Sequence, residues 1–120
     1  MKIERFEDIK AWQEARKLTR MIYGFSNRGR FEKDFGLKDQ IQRASASVGA
    51  NISEGFDSKS KNEFIRFLSF ASRSASEVQS HLYTALDLGY ISHSEFGESY
   101  AQAVCAKNLI GGFIRYLSRK

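Results

Sequence analysis

Apolar residues recur along this chain at intervals of three and four, in four separate stretches. That period is the mark of amphipathic α-helices. In the first stretch Ile9, Trp12, Ala15, Leu18, Ile22 and Phe25 share one broad face, with Lys10, Lys17, Arg20 and Arg28 opposite. Asp8 stands where an N-cap belongs, so a helix is expected from there to about Asn27. Gly24 weakens its last turn, and fraying is expected near Ser26. A loop from Ser26 to Gly36 follows, and a second helix is expected from about Lys38 to Glu54, stopped by Gly55. Ser60 with Glu63 reads as a capping box opening the longest helix. Its seam is Phe64, Leu68, Ala71, Ala75, Val78, Leu82 and Leu86, and Gly89 suits a left-handed cap at its end. Ser92 and Glu95 repeat the box a few residues later, so a fourth helix turns straight back. Phe96, Tyr100, Ala103, Val104, Ile110, Ile114 and Leu117 form its core face.

Four helices on short connections predict an all-α fold, an antiparallel up-down-up-down four-helix bundle with residues 1–120 as one domain. The stretch from Gln40 to Gly55 is its most constrained part. Ile41, Ala44, Val48 and Ile52 make an apolar stripe, and Gln40, Arg43, Ser47, Asn51 and Glu54 a polar one beside it. Ala46, Gly49, Ala50 and Ser53 leave a third face almost without side chains. No face reads as an ordinary charged surface, so this helix is expected to be surrounded. Its polar stripe is then either a set of internal hydrogen bonds or a groove for a phosphate or a base, and Arg43 and Glu54 would need partners.

A second apolar set lies off the core faces. Leu109, Phe113 and Tyr116 on the last helix, with Phe67 and Phe70 on the longest, would be exposed in a monomer, so they are candidate oligomer contacts. Lys107 falls on a core stripe, as a snorkelling side chain or as the partner of a buried acid such as Glu54.

The net charge of +5 changes the picture because it is concentrated. Arg16, Lys17, Arg20, Arg28, Arg30, Lys33, Lys38 and Arg43 face only three acids, Glu32, Asp34 and Asp39, in the same span. The remaining 11 basic and 11 acidic residues cancel. Such asymmetry speaks of a polyanionic partner. Arg16, Lys17, Arg20, Arg28, Arg30, Lys33 and Arg43 are the candidate phosphate contacts.

Candidate chemistry is thin. The one cysteine, Cys105, forms no internal disulfide and points to a reducing compartment. Neither a signal peptide nor a membrane-length apolar run is evident, so a cytoplasmic protein away from membranes is expected. His81 and His93 lie too far apart in helical register to ligate together. No phosphate-binding loop, dinucleotide fingerprint or Glu-x-x-His pair occurs. No catalytic residue, cofactor or metal is expected.

Four motifs carry a resemblance: F-x-D-I-x-A-W-Q-x-A from Phe6, G-L-x-x-Q-I-x-R-A-x-x-S-V-x-A-N-I-x-E-G from Gly36, S-x-x-E-F-x-R-F-L from Ser60 and L-G-Y-I from Leu88. The chain resembles the bacterial four-helix-bundle family named for proteins encoded in intervening sequences of 23S ribosomal RNA genes. Its relatives include accessory variability proteins of diversity-generating retroelements. The resemblance makes Gln40, Arg43, Asn51, Glu54 and Gly55 structural motif residues. It implies a basic ring-shaped homo-oligomer, typically a pentamer, and for the retroelement relatives binding to nucleic acid and to a reverse transcriptase. Gly49 and the residue after Phe31 depart from it, since proline is common at both, and the loop is less fixed for it.

Two functional classes follow. One is a nucleic-acid-binding oligomer that holds RNA or DNA by phosphates without a base code. The other is a structural or protein-docking scaffold whose charge keeps it soluble.

Overall fold

A computed structural model of the chain describes residues 2–120. A single 3-10 turn, Phe6–Asp8, leads into α1 (Lys10–Ser26), a short α2 (Gly29–Lys33), α3 (Phe35–Asp57), α4 (Lys61–Asp87) and α5 (His93–Ser118). The fold is all-α, with no strand among the described residues. The four long helices meet in a closed cycle, α1 on α3, α3 on α4, α4 on α5 and α5 on α1, in a rod of 47 × 22 × 19 Å.

The apolar period builds this core. Ile9, Ala15, Leu18 and Ile22 of the first stretch and Ile41, Val48 and Ile52 of α3 are wholly buried. So are Leu68, Ala71, Ala75, Val78 and Leu82 of α4. The α4 seam continues through buried Ala85, and Leu86 is only half-buried, because the repeat steps by three there and not by four.

Several boundaries differ from the sequence expectation. Asp8 does not cap α1; Ile9 is the N-cap, and the Asp8 carboxylate accepts from the Glu4 and Arg5 amides at 3.0 and 3.2 Å, closing the 3-10 turn. Those bonds hold its carboxyl below the usual range. Helix α1 does not fray at Ser26, which is buried and accepts from the Gln42 side chain at 2.8 Å.

Helix α3 begins earlier, at Phe35, because the Asp34 side chain accepts from the Leu37 amide. It also runs on past Gly55 to Asp57. Gly55 is therefore no stop signal. It is buried, and a Cβ there would meet Phe67 Cβ at 2.8 Å and Phe64 Cδ1 at 2.9 Å. Its missing side chain lets α4 approach.

The Ser60 hydroxyl accepts from the Glu63 amide, but the Glu63 carboxylate pairs with Arg66 at 2.9 Å and does not return the bond. At α5 both halves of the Ser92–Glu95 box form. Gly89 has φ +73°, as its place after α4 demands. Lys107 reaches Gln79 Oε1 at 3.3 Å and snorkels rather than pairing with Glu54.

Candidate nucleic-acid interface

The seven basic residues singled out by charge do not share one environment. Arg28, from the loop after α1, closes on Glu95 of α5 at 2.6 Å. Arg30 of α2 donates to the carbonyls of Leu88 and Gly89 at 3.1 and 3.3 Å and lies over the Tyr90 ring. Both pin α2 to the α4–α5 turn. Arg43 is forked onto Asp39 one turn earlier, at 2.9 and 3.0 Å. Lys17 approaches Glu14 at 3.5 Å. Arg16, Arg20 and Lys33 are exposed and form no ion pair among the described residues. The charge available to a partner is thus narrower than the sequence suggests, and α1 carries most of it.

Arg16 and Arg20 stand one turn apart on α1, beside an open hollow of about 400 Å³ lined also by Trp12, Thr19, Ala46, Gly49 and Ala50. The half-buried Trp12 indole rests on the α3 backbone, where a Cβ at Gly49 would lie 3.4 Å from its Nε1. Phe6 packs against it edge-on at 5.1 Å, and the Arg16 guanidinium lies over the ring at 6.0 Å. The Thr19 hydroxyl is already committed to the Ser45 carbonyl at 2.9 Å.

The small face of α3 is therefore covered only in part, Gly49 lying under Trp12 and Ala15 of α1. Ala46 and Ala50 are exposed, in line with exposed Asp39, Arg43 and Glu54. The expectation of a surrounded helix fails because α3 occupies a corner between α1 and α4, and a corner helix keeps one open face. Of the polar stripe, Gln40, Arg43 and Glu54 are exposed, so neither charge carries a burial cost. Asn51 is half-buried and donates to the Ser47 carbonyl and hydroxyl at 2.8 and 2.9 Å. The Ser74 hydroxyl donates to Ser47 across the α3–α4 contact at 3.0 Å.

Sequence reasoning missed Glu14, which is buried on the α1–α5 side. It accepts from Gln102 Nε2 at 3.1 Å, while the same amide donates to the Glu14 carbonyl at 2.8 Å. Lys10 and Lys17 approach its other oxygen at 3.6 and 3.5 Å. The Gln102 bond first, then the two ammonium groups, hold this carboxyl below its usual value against the opposing effect of burial. A lysine at each flank of an acid, four before and three after, was the legible signal. A lowered folded pKa stabilises above the unfolded value, and that contribution is lost as pH falls through the folded one. Glu14→Gln is expected to cost about 1–3 kcal/mol at neutral pH. Denaturation at pH 7 and again well below 4.5 tests this, because the difference from wild type should shrink in acid.

The candidate oligomer contacts fall on two opposite sides of the cycle. Phe67 and Phe70, half-buried, meet edge-to-face at 5.9 Å on the α3–α4 side, with the Arg66 guanidinium over both rings and Arg73 over Phe70. On the α5–α1 side Leu109, Phe113 and Tyr116 line an apolar groove of about 660 Å³ with Ile3, Ala11 and Gly112. Leu109 and Phe113 are packed against the core edge, Phe113 at 5.2 Å from Phe64, and only Tyr116 is mainly exposed, at 54%.

Among the described residues no cluster of metal-ligating side chains occurs, and no helix is long and apolar enough to cross a membrane. Residues 7–112 match the family described as 23S rRNA-intervening sequence protein. The chain belongs to that family. The matched span takes in every candidate residue above except Phe113 and Tyr116. A crystal structure from Bacteroides thetaiotaomicron, described as a protein with unknown function from the S23 ribosomal protein family, shares the fold. Its TM-score is 0.79 at 24% identity, over 87% of this chain and 97% of that one. No curated protein matches this chain.

Proposed function

We propose that this family member is an antiparallel up-down-up-down four-helix bundle that assembles into a homo-oligomer, five copies by family analogy. In this reading it binds RNA or DNA through phosphate contacts and has no catalytic role. A reverse transcriptase is a further partner by the same analogy. Cross-helix pairs support the bundle: from Thr19–Ser45 to Ser26–Gln42 the numbers rise on α1 as they fall on α3, and Ser74 bonds Ser47 across α3 and α4.

One observation carries the nucleic-acid reading: Arg16 and Arg20 project from α1 without an acidic partner while most of the other candidate cations are held internally. Guanidinium groups free of carboxylates are the ones that release counterions when they meet phosphates. Affinity for RNA and DNA is expected to fall with salt at a log–log slope of about −0.7 to −0.9 per phosphate neutralised. The triple change Arg16→Glu, Lys17→Glu and Arg20→Glu should lower affinity at least about tenfold and flatten that slope by about 0.7 to 0.9 for each phosphate no longer neutralised. Unchanged binding by this variant, with helicity intact, would leave the scaffold reading standing.

Assembly is supported by the aromatic ridge of Phe67 and Phe70 and the groove at Tyr116, which lie on opposite sides of one subunit. Unlike surfaces on opposite sides favour head-to-tail contacts, which form a ring where the rotation between subunits closes and a filament where it does not. Phe113 is a poor probe because its ring packs on Phe64 within the subunit. Tyr116→Glu is the cleaner one: light scattering should give the 13.7 kDa protomer mass for the variant and a multiple of it for the wild type.

A further inference from the structure

The hollow between α1 and α3 pairs a flat aromatic surface with free positive charge, and that pairing suits one ligand chemistry. We infer that it takes an unpaired nucleobase of a single-stranded nucleic acid, stacked on Trp12, with the adjoining phosphates held by Arg16 and Arg20. This rests on the nucleic-acid reading above and deepens it.

The lining supplies two cations and no carboxylate. An anion is favoured there and a cationic peptide is not. On the α3 side the lining is only the methyl groups of Ala46 and Ala50, beside Gly49 where the indole edge rests, so α3 sets no long side chain in the way of a planar ring. The one hydroxyl in the lining, Thr19, is committed to Ser45. No hydrogen-bonding code is left to read a base edge, and stacking tolerates any base because each has a π-face. Arg16 lies over the indole at 6.0 Å. A long, exposed side chain can lift to admit the base and close as a second plane or on the phosphate. On the other side of Arg16 a smaller hollow of about 200 Å³ continues past Gln13 and Lys17, so the strand has a track along α1. A duplex keeps its bases paired and stacked inside, and cannot insert one without unstacking it.

Trp12 is the chain's only tryptophan, so its emission reports on this hollow alone. The full chain is titrated with single-stranded oligothymidylate, a duplex of equal length and heparin at one salt concentration. Oligothymidylate should quench Trp12 and bind about 5- to 150-fold tighter than the duplex, the range expected for one stacked base. Heparin should bind without that quenching. Ala50→Leu fills the hollow from an exposed position; it should abolish the quenching and the single-strand preference and leave salt-dependent binding in place. Equal binding of single strand and duplex without quenching would overturn the subsite while the phosphate reading stands. Failure of all three polyanions to bind would overturn both. A changed assembly mass for Ala50→Leu would mean that another subunit covers the hollow, which also overturns the subsite.

Discussion

Phe31→Ala is expected to cost about 3–5 kcal/mol of folding free energy, the range for removing a buried phenyl ring from a site that cannot collapse. Phe31 is the largest of the wholly buried side chains, yet it sits on a helix of only five residues. A helix that short has no stability of its own and is held by its contacts. The Phe31 ring lies between Phe25 of α1, at 6.2 Å, and Tyr90 of the α4–α5 turn, at 5.2 Å. It therefore plugs one end of the core. Around it Arg28 holds Glu95, Arg30 holds two carbonyls, and the Tyr90 hydroxyl donates to Asp34 at 2.9 Å. Arg28→Ala should cost no more than about 1 kcal/mol, because that pair is half exposed to solvent. Urea denaturation at fixed protein concentration compares the two. A loss below about 1 kcal/mol for Phe31→Ala would mean that α2 is only a loop laid over the bundle end.

This end of the molecule shows where sequence reasoning stops. The four long helices were legible because each repeats its apolar period over several turns, and the caps at Ser60 and Ser92 sit at the right offsets from Glu63 and Glu95. The segment from Ser26 to Gly36 repeats nothing. With two glycines and clustered charge it reads as a loop, and its order comes from Phe31 and two arginines meeting residues about sixty positions away. The less fixed loop expected after Phe31 is instead the short helix α2, held by those contacts. Tertiary partners also decided the fate of the candidate site. Charge alone found the basic span, but Asp39, Glu95 and two backbone carbonyls answer three of its arginines, and no local pattern foretells the last two of these partners. Trp12 was legible as a core residue and not as the edge of a hollow. Its seat is the backbone at Gly49 of a different helix, which no pattern within α1 reveals.

Gly55→Val is expected to destabilise the protein by about 3 kcal/mol, and Gly55→Ala by about 1–2 kcal/mol. Helix propensity alone predicts the opposite sign, since alanine in a helix interior is favoured over glycine by about 1 kcal/mol. Geometry decides against propensity here. A Cβ at this position would lie 2.8 Å from Phe67 Cβ and 3.3 Å from the Phe64 carbonyl oxygen. Neither atom is the far end of a flexible side chain. Both belong to, or stand directly on, the α4 backbone, so relief requires the first two turns of α4 to move off α3. That displacement would also disturb the Phe56–Phe64 and Phe64–Phe113 ring contacts, and with them the edge of the α5 groove. Two opposing effects of similar size make Gly55→Ala the more informative change, because its sign tells which one wins. Denaturant midpoints at unchanged slope measure it. Stabilisation by alanine would mean that the α3–α4 contact yields at low cost and that Gly55 is not required for their close approach.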